Sequence, residues 1–518
     1  MKLKSENIMS ITGKNLIAGE WSGETEGGFT AFNAISHEAI AIPFADATEL
    51  EVNTAISRAN DAFASYSQLS AEKRAQFLRT IGEQINALGD ELVETACAET
   101  GLPAMRIQGE RGRTVGQLGL FANLLESSEY QGVIDLADND RQPLPKPDTR
   151  LGYLPLGVVG VFAASNFPLA FSTAGGDTAS ALAAGCPVVM KAHAAHPATA
   201  ELVARAILKA IEICGVDKGV FSLIQGKNYA IASQIVTHPL VKAVGFTGSE
   251  RVGMILQQQI NERPEPIPFY GELGSINPQF IMPAKLENDS EAIAQGLVAS
   301  LMMGQGQFCT SPGVWVVVGK ETDESYRQFI NSAAQSLKEQ SAGVMLTPAM
   351  CKAYDSAVAQ RTSLSGVELL ATGQSGNAQE CSASLFTTDL TTFINTPDLH
   401  EEVFGFSALI VRCEDFAEMM QFITLLKGNL TASIHAVDAD LSLTREVAQA
   451  VAHKVGRLIY NQMPTGVEVC ASMNHGGPFP ASTNIRTTSV GSEAIKRFQR
   501  PICYQNMPIE LLPLALQS

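Results

Sequence analysis

With 518 residues, 45% of them apolar and 17% charged, the chain is long enough for two or three domains with large cores and does not have a disordered composition. Its formal net charge of −17, from 36 Lys and Arg against 53 Asp and Glu, argues against nucleic acid or an anionic membrane as the main partner and favours a small metabolite. The nine cysteines form no CxxC pair, Met1 to Asn7 lack the apolar core of a signal peptide, and no apolar run reaches the length of a membrane span, so a reducing cytoplasm is expected, with neither a metal framework nor a disulfide scaffold.

Leu16-Ile17-Ala18-Gly19-Glu20-Trp21 reads as a small hairpin. From Ala47 the pattern turns helical: Val52, Ala55, Ile56, Ala59 and Ala62 follow three-to-four spacing, Ser70 and Glu72 open a further helix, and helices are expected as far as Ser128. Gln142-Pro143-Leu144-Pro145-Lys146-Pro147 cannot be helical and reads as an extended arm or a linker. Apolar, β-branched runs follow at Val158–Phe162, Pro187–Met190, Phe221–Ile224 and Val241–Phe246, separated by helical stretches such as Ala174–Ala184 and Ala198–Ile213. Strand, helix and strand at about thirty-residue spacing predict right-handed crossovers and a parallel sheet covered by helices. Ligands of such sheets bind beyond the carboxyl ends of the strands.

Three candidates stand at those ends. Asn166 follows the first strand, and its amide can donate to an oxyanion, although Asn before an apolar-Pro pair is also a turn former. Lys191 ends the second, where its charge can meet ribose hydroxyls or phosphate or simply be solvated. Gly248-Ser249-Glu250-Arg251-Val252-Gly253 follows the fourth and opens a helix, a place for a pyrophosphate, though it is not GxGxxG.

Further on, Gly271-Glu272-Leu273-Gly274 sets a carboxylate between glycines, as a turn residue or a general base. Gly304-Gln305-Gly306-Gln307-Phe308-Cys309-Thr310 interrupts a helix read over Ala292–Met303 and precedes the strand Val314–Val318. A cysteine there sits on a tight backbone whose N–H groups can lower its pKa and hold an oxyanion, or it merely packs. Glu401–Phe406 reads as a loop, Ser407–Val411 as a buried strand and Asp438–His453 as a helix. The apolar tail from Arg500 to Ser518 is expected to cover another surface, such as a partner subunit.

Asn166, Lys191, the glycine hexad, Glu272-Leu273-Gly274, Gly306-Gln307-Phe308-Cys309-Thr310 and Glu402-Val403-Phe404, in that order, make the chain resemble the aldehyde dehydrogenase superfamily over nearly its whole length. The resemblance implies an α/β fold: a Rossmann-type parallel-sheet NAD(P)-binding domain (1–138 and 158–276), an α/β catalytic domain (277–480) and a small β oligomerisation arm (139–157 and 481–518), with a homodimer or homotetramer as the assembly. It also implies that Cys309 attacks the aldehyde, that Asn166 and the Cys309 amide hold the oxyanion, and that Glu272 activates the water that hydrolyses the thioester. Lys191 and Glu402 would bind the two riboses, Phe404 would lie against the nicotinamide side, Gly248, Ser249 and Gly253 near the pyrophosphate, and Leu273 would be a further cofactor-binding residue.

Two departures bear on the nicotinamide pocket: Ser275 stands where many members have glycine, and Phe406 where they have proline. Ala194 stands where NAD-specific relatives carry a glutamate that binds ribose hydroxyls, which removes the repulsion against a 2′-phosphate, so NADP is expected with NAD admitted; Lys227 can add charge. Ser165–Ser172, Arg263–Glu272 and His475–Ser482 resemble a smaller bacterial group that includes α-ketoglutaric semialdehyde (2,5-dioxopentanoate) dehydrogenases and an NADP-dependent fatty aldehyde dehydrogenase. The first substrate implies a cation, for which Arg106 and Arg113, two turns apart on one helical face, are candidates; the alternative is a solvated helix with Glu99 and Glu110 as partners. Two readings of other classes remain, a cysteine hydrolase and a non-catalytic scaffold. None of the eight histidines stands in a motif that recommends it as the base of a hydrolase.

Overall fold

The computed structural model describes residues 11–36, 38–127, 132–377 and 380–517; the readings made at Met1–Asn7, the helix end at Ser128 and the tail residue Ser518 fall outside them. The three-to-four spacing forms the helix Glu49–Tyr66, which opens on a reciprocal cap between Thr48 and Glu51 and buries Val52, Ala55, Ile56, Ala59 and Ala62. Ser70 caps Ala71–Ala87 by accepting from the Lys73 amide. After Gly89–Thr100, helix α1 (Ala104–Glu126) completes the helical layer.

The β-branched runs form one seven-stranded sheet. Its strands are β1 (Asn15–Ile17), β2 (Glu20–Ser22), β3 (Val158–Phe162), β4 (Val188–Lys191), β5 (Phe221–Ile224), β6 (Val241–Thr247) and β7 (Phe269–Glu272), in the order β7-β6-β3-β4-β5-β1-β2. The pairs from β7 to β5 are parallel. Helices α2 (Gly176–Ala184), α3 (Pro197–Cys214) and α4 (Glu250–Asn261) belong to its connections. Strand order reverses between β3 and β6, the switch point at which such sheets open a crevice. The N-terminal hairpin is not a separate piece: Leu16, buried, pairs with Leu223, so β1 and β2 extend the sheet.

A second seven-stranded sheet contains β8 (Gln279–Ile281), β9 (Val314–Val318), β10 (Glu368–Thr372), β11 (Ser384–Asp389), β12 (Ser407–Cys413), β13 (Asn429–His435) and β14 (Val455–Tyr460), in the order β10-β11-β12-β9-β8-β13-β14. All its pairs are parallel except β10 with β11. Helix α5 (Pro283–Met302) follows β8, and helix α6 (Pro348–Thr362) precedes β10. The helix read over Asp438–His453 is a short 3-10 turn followed by Leu441–Val451.

A three-stranded antiparallel sheet joins Val133–Asp135, Thr149–Pro155 and Gln499–Gln505, with the proline-rich segment between its first two strands. The pairing differs from the expected boundaries at both ends. Val133–Asp135 joins the arm before residue 139, and Ala494, Ile495 and Phe498 pack into the core of the first sheet instead. The apolar tail folds partly back on the arm, since Leu512 and Leu516 are buried and Arg150 Nη1 donates to the Leu516 carbonyl, while Ile509, Leu511 and Leu514 stay exposed. No helix among the described residues is long and apolar enough to cross a membrane.

Arg497 is the buried tie between the C-terminal segment and α2. Its Nη2 donates to Asp177 Oδ1 at 2.7 Å, and its guanidinium lies 5.1 Å from the Phe498 ring centre. Truncation would leave Asp177 buried and unpaired, so Arg497→Ala should lower unfolding free energy by about 3–5 kcal/mol. Denaturant titration measures this, and an unchanged midpoint would show the pair to be dispensable.

Candidate active site

Glu272 is the last residue of β7, in register with Thr247 of β6. The next peptide is locked, because the Leu273 amide donates to Ala481 and the Gly248 amide donates to the Glu272 carbonyl. Helix α5 ends at Met302 and the chain turns tightly through Gly304 (φ 58°), Gln305 (φ 55°) and Gly306 (φ 66°). At Gly306 a Cβ would lie 2.4 Å from the Gly405 carbonyl, so only glycine fits. The turn delivers Cys309 to the Glu272 side chain. Asn277, fully buried, fixes the result: its Nδ2 donates to the Cys309 carbonyl at 2.8 Å and to that of Ser311 at 2.9 Å.

The third member was not recognised in the sequence. His475 Nε2 lies 3.5 Å from Cys309 Sγ and 3.0 Å from Glu272 Oε1, and its Nδ1 meets no hydrogen-bond partner among the described residues. Ser489 Oγ donates to the other carboxylate oxygen and to the His475 carbonyl. No signal adjoins the cysteine in sequence, since His475 lies 166 residues away; the only mark was the Gly-Gly-Pro that follows it.

Electrostatics divides the roles. Burial pushes Glu272 up, but His475 beside it and hydrogen bonds from His475, Ser489 and Cys309 outweigh burial and hold the carboxyl below its usual range. Burial, then Glu272 and Glu402, push the Cys309 thiol well above its ordinary value. The resting pair is therefore a carboxylate and a neutral thiol. Asn166, nearly buried, donates one amide hydrogen to the Gln307 carbonyl at 2.9 Å, which leaves the other available.

A crevice of about 660 Å³ opens at the switch point and includes Asn166, Lys191, Gly248, Ser249, Leu273, Cys309, Glu402 and Phe404 in its lining. Burial pushes Lys191 down to about 8, against a nearby Asp46 that raises it, and Lys191 Nζ donates to the Ala192 and Gly226 carbonyls. Burial likewise pushes Glu402 up to about 8. Two expected cofactor residues lie outside the lining. Ala194 is partly buried against the first core, and Gly253 serves packing: a Cβ there would meet Leu273 at 2.3 Å. His193 and Lys227 line the crevice. Phe406 is fully buried and stacks on Tyr354 at 5.4 Å, behind the wall, while Ser275 Oγ donates to Asn277 and Asn429.

Arg106 and Arg113 come together as the helical face required. The Arg106 guanidinium lies 4.5 Å from the Phe167 ring centre and 5.0 Å from that of Phe308, and Arg113 lies 5.4 Å from Phe171. Arg106 pairs with Glu110 at 2.9 Å, but Glu99 is no partner: it caps α3 through the Ala198 and Thr199 amides. Nε and Nη2 of both arginines are buried without a hydrogen-bond acceptor among the described residues.

Residues 21–500 match the profile of the aldehyde dehydrogenase family. The chain is 47% identical over 515 residues to alpha-ketoglutaric semialdehyde dehydrogenase 2 of Azospirillum brasilense, covering 98% of this chain and 97% of that one. It is 42% identical over 509 residues to alpha-ketoglutaric semialdehyde dehydrogenase of Acinetobacter baylyi, with 98% and 96% covered. Among solved structures, aldehyde dehydrogenase C of Pseudomonas syringae in complex with NAD+ and octanal superposes with a TM-score of 0.81 at 21% identity, covering 98% of each chain. An NADP-dependent enzyme of E. coli gives 0.80 at 22%, covering 97% and 100%.

Because burial and the neighbouring Glu272 carboxylate disfavour the thiolate, alkylation of Cys309 by iodoacetamide in the free protein should be slow at neutral pH. It should still rise with pH beyond the ordinary thiol range of about 8–9. Mass spectrometry of the Cys309 peptide gives the profile, and a plateau below that range would contradict the assignment.

Proposed function

The chain belongs to the aldehyde dehydrogenase family, and from that premise we propose that it oxidises α-ketoglutaric semialdehyde to 2-oxoglutarate with NADP as the preferred acceptor. It is an enzyme of aldehyde oxidation that uses a nicotinamide cofactor. The observation that carries the finer reading is the pair Arg106 and Arg113, whose buried, unaccepted N–H groups stand over the aromatic rings beside Asn166 and Cys309. Two guanidiniums, each with Nε and Nη2 buried and without an acceptor among the described residues, favour an anionic substrate, and the α-keto acid end of the semialdehyde would supply the carboxylate. The relatives named for this substrate support the same reading. Phe167, Phe171 and Phe308 would also suit the chain of a fatty aldehyde, the second reading, but such a tail gives the arginines nothing to bind.

In the mechanism we infer, the Glu272 carboxylate takes the thiol proton as Cys309 Sγ bonds to the aldehyde carbon. The His475 Nε2–H, placed between sulfur and carboxylate, donates to whichever of them carries the charge. The carbonyl oxygen becomes an alkoxide, held by the second Asn166 amide hydrogen and the Cys309 N–H. A nicotinamide held in the crevice would supply the hydride acceptor for that carbon. Glu272, its first proton lost to solvent, then deprotonates the water that attacks the thioester, and the carbon–sulfur bond breaks to return the thiol and release the acid. Ser489 positions the carboxylate throughout.

The crevice suits a nicotinamide dinucleotide: Lys191 and Glu402 would meet ribose hydroxyls, and Gly248 and Ser249 at the start of α4 the pyrophosphate. With Ala194 in place of an acid, His193 and Lys227 favour a 2′-phosphate. We assign the first sheet to cofactor binding, the second to catalysis and the three-stranded sheet to assembly of a homodimer or homotetramer, in a reducing cytoplasm.

Steady-state rates with α-ketoglutaric semialdehyde, succinic semialdehyde and long-chain aldehydes, each with NADP and NAD, test the substrate. Preference for the long chains would overturn it. Arg113→Met should lower kcat/KM for the anionic semialdehyde roughly 10–100-fold, the worth of a charged hydrogen bond of about 1.5–3 kcal/mol, and hardly alter that for a neutral aldehyde. Equal losses on both would refute carboxylate recognition. Glu272→Gln should give a burst of reduced cofactor and then a stall in rapid-mixing traces; an undiminished steady state would remove Glu272 from the base role.

A further inference from the structure

Away from the catalytic sulfur, a second group of ligating atoms converges. Cys351 and Asp355 sit one turn apart on α6, with Cys351 Sγ 3.9 Å from Asp355 Oδ2. Cys381, buried on the short strand Glu380–Cys381, faces them, its Sγ 3.9 Å from the Cys351 carbonyl, and the two sulfurs and the carboxylate oxygen all lie within 4.8 Å of one another. The sequence hides this, because Cys351 and Cys381 have no short spacing and meet only when α6 packs on that strand.

We propose that Cys351, Asp355 and Cys381 form a site for a borderline-soft divalent cation, zinc being the physiological candidate, that clamps α6 to the segment 380–384. Zn–S bonds of about 2.3 Å and Zn–O bonds of about 2.0–2.2 Å set tetrahedral ligands roughly 3.6–3.8 Å apart, so the observed atoms need to close by about 1 Å or less. Two thiols and a carboxylate suit zinc or cobalt(II) and not magnesium or calcium, which take oxygen ligands. Cys381 is buried, Cys351 half-buried and Asp355 exposed, so an ion enters from solvent on the Asp355 side and keeps its fourth position for water.

The clamp acts on the crevice wall. Met350, Ala353, Tyr354 and Ala357 of α6 line the crevice, and Tyr354 OH already donates to the carbonyl of Ser382, next to Cys381, and to that of Phe406. An ion between Cys351 and Cys381 would add a second tie beside that hydrogen bond. The site is independent of which aldehyde the enzyme oxidises.

The test is titration of cobalt(II) into the full-length protein carrying Cys309→Ala, which removes the sulfur of the other converging set, Glu272, Cys309 and His475. One equivalent should bind with thiolate-to-cobalt charge-transfer absorption, and the band should vanish in Cys351→Ser and in Cys381→Ser. Asp355→Asn, at an exposed position that leaves folding intact, should weaken binding at least about tenfold. Zinc should raise the melting temperature of the Cys309→Ala protein and not that of its Cys381→Ser derivative. Absence of the band, its survival without either cysteine, or loss of both thiols to a mutual disulfide on exposure to glutathione disulfide even with zinc present, would overturn the proposal.

Discussion

A thiol and a carboxylate buried side by side is the constraint on which the rest of the site depends. Two anions there would repel in a low dielectric, so one must stay neutral. The fold decides which: Glu272 receives hydrogen bonds from His475 and Ser489 and keeps its charge, whereas Cys309, buried beside that carboxylate, keeps its proton. In the proposed mechanism Cys309 is thus charged only as its proton moves to Glu272, already in place beside it.

Holding that arrangement still falls to one buried amide. Asn277, in a left-handed conformation (φ 45°), donates to the carbonyls of Cys309 and Ser311 and accepts from Ser275 and Thr431, so the cysteine turn, the loop after Glu272 and β13 share one hydrogen-bonded knot. Ser275, a departure from the family pattern, is part of that knot: its hydroxyl also accepts from the Leu430 amide. A hydroxyl there replaces bare backbone with three bonds. The departure at Phe406 is similarly absorbed, since its ring stacks on Tyr354 behind the crevice.

The crevice and the arginine pair follow the same physical rule from the opposite side. Lys191 and Glu402 are each driven toward neutrality by burial. Arg113 is also lowered by burial, with Cys309, Glu110 and Glu272 opposing the change.

Much of this is written along the chain. Periodicity of two and of three to four is a local property, so the parallel sheet, its crossover helices and the caps at Ser70 and Thr48 follow from neighbours in sequence. Asn166, Lys191, Glu272 and Cys309 were likewise legible, because each stands at a strand end or a glycine-broken turn whose backbone demands are local. What the sequence alone determined is therefore the architecture and the local settings of Cys309 and Glu272. The tertiary structure alone decided that His475, 203 residues from Glu272, lies between the two, that Ser489 holds the carboxylate, that a Cβ at Gly253 would meet Leu273, and that Nε and Nη2 of Arg106 and Arg113 meet no acceptor among the described residues. Those facts depend on distances between elements far apart in the chain and on which polar atoms folding leaves unpaired, and no local pattern encodes either.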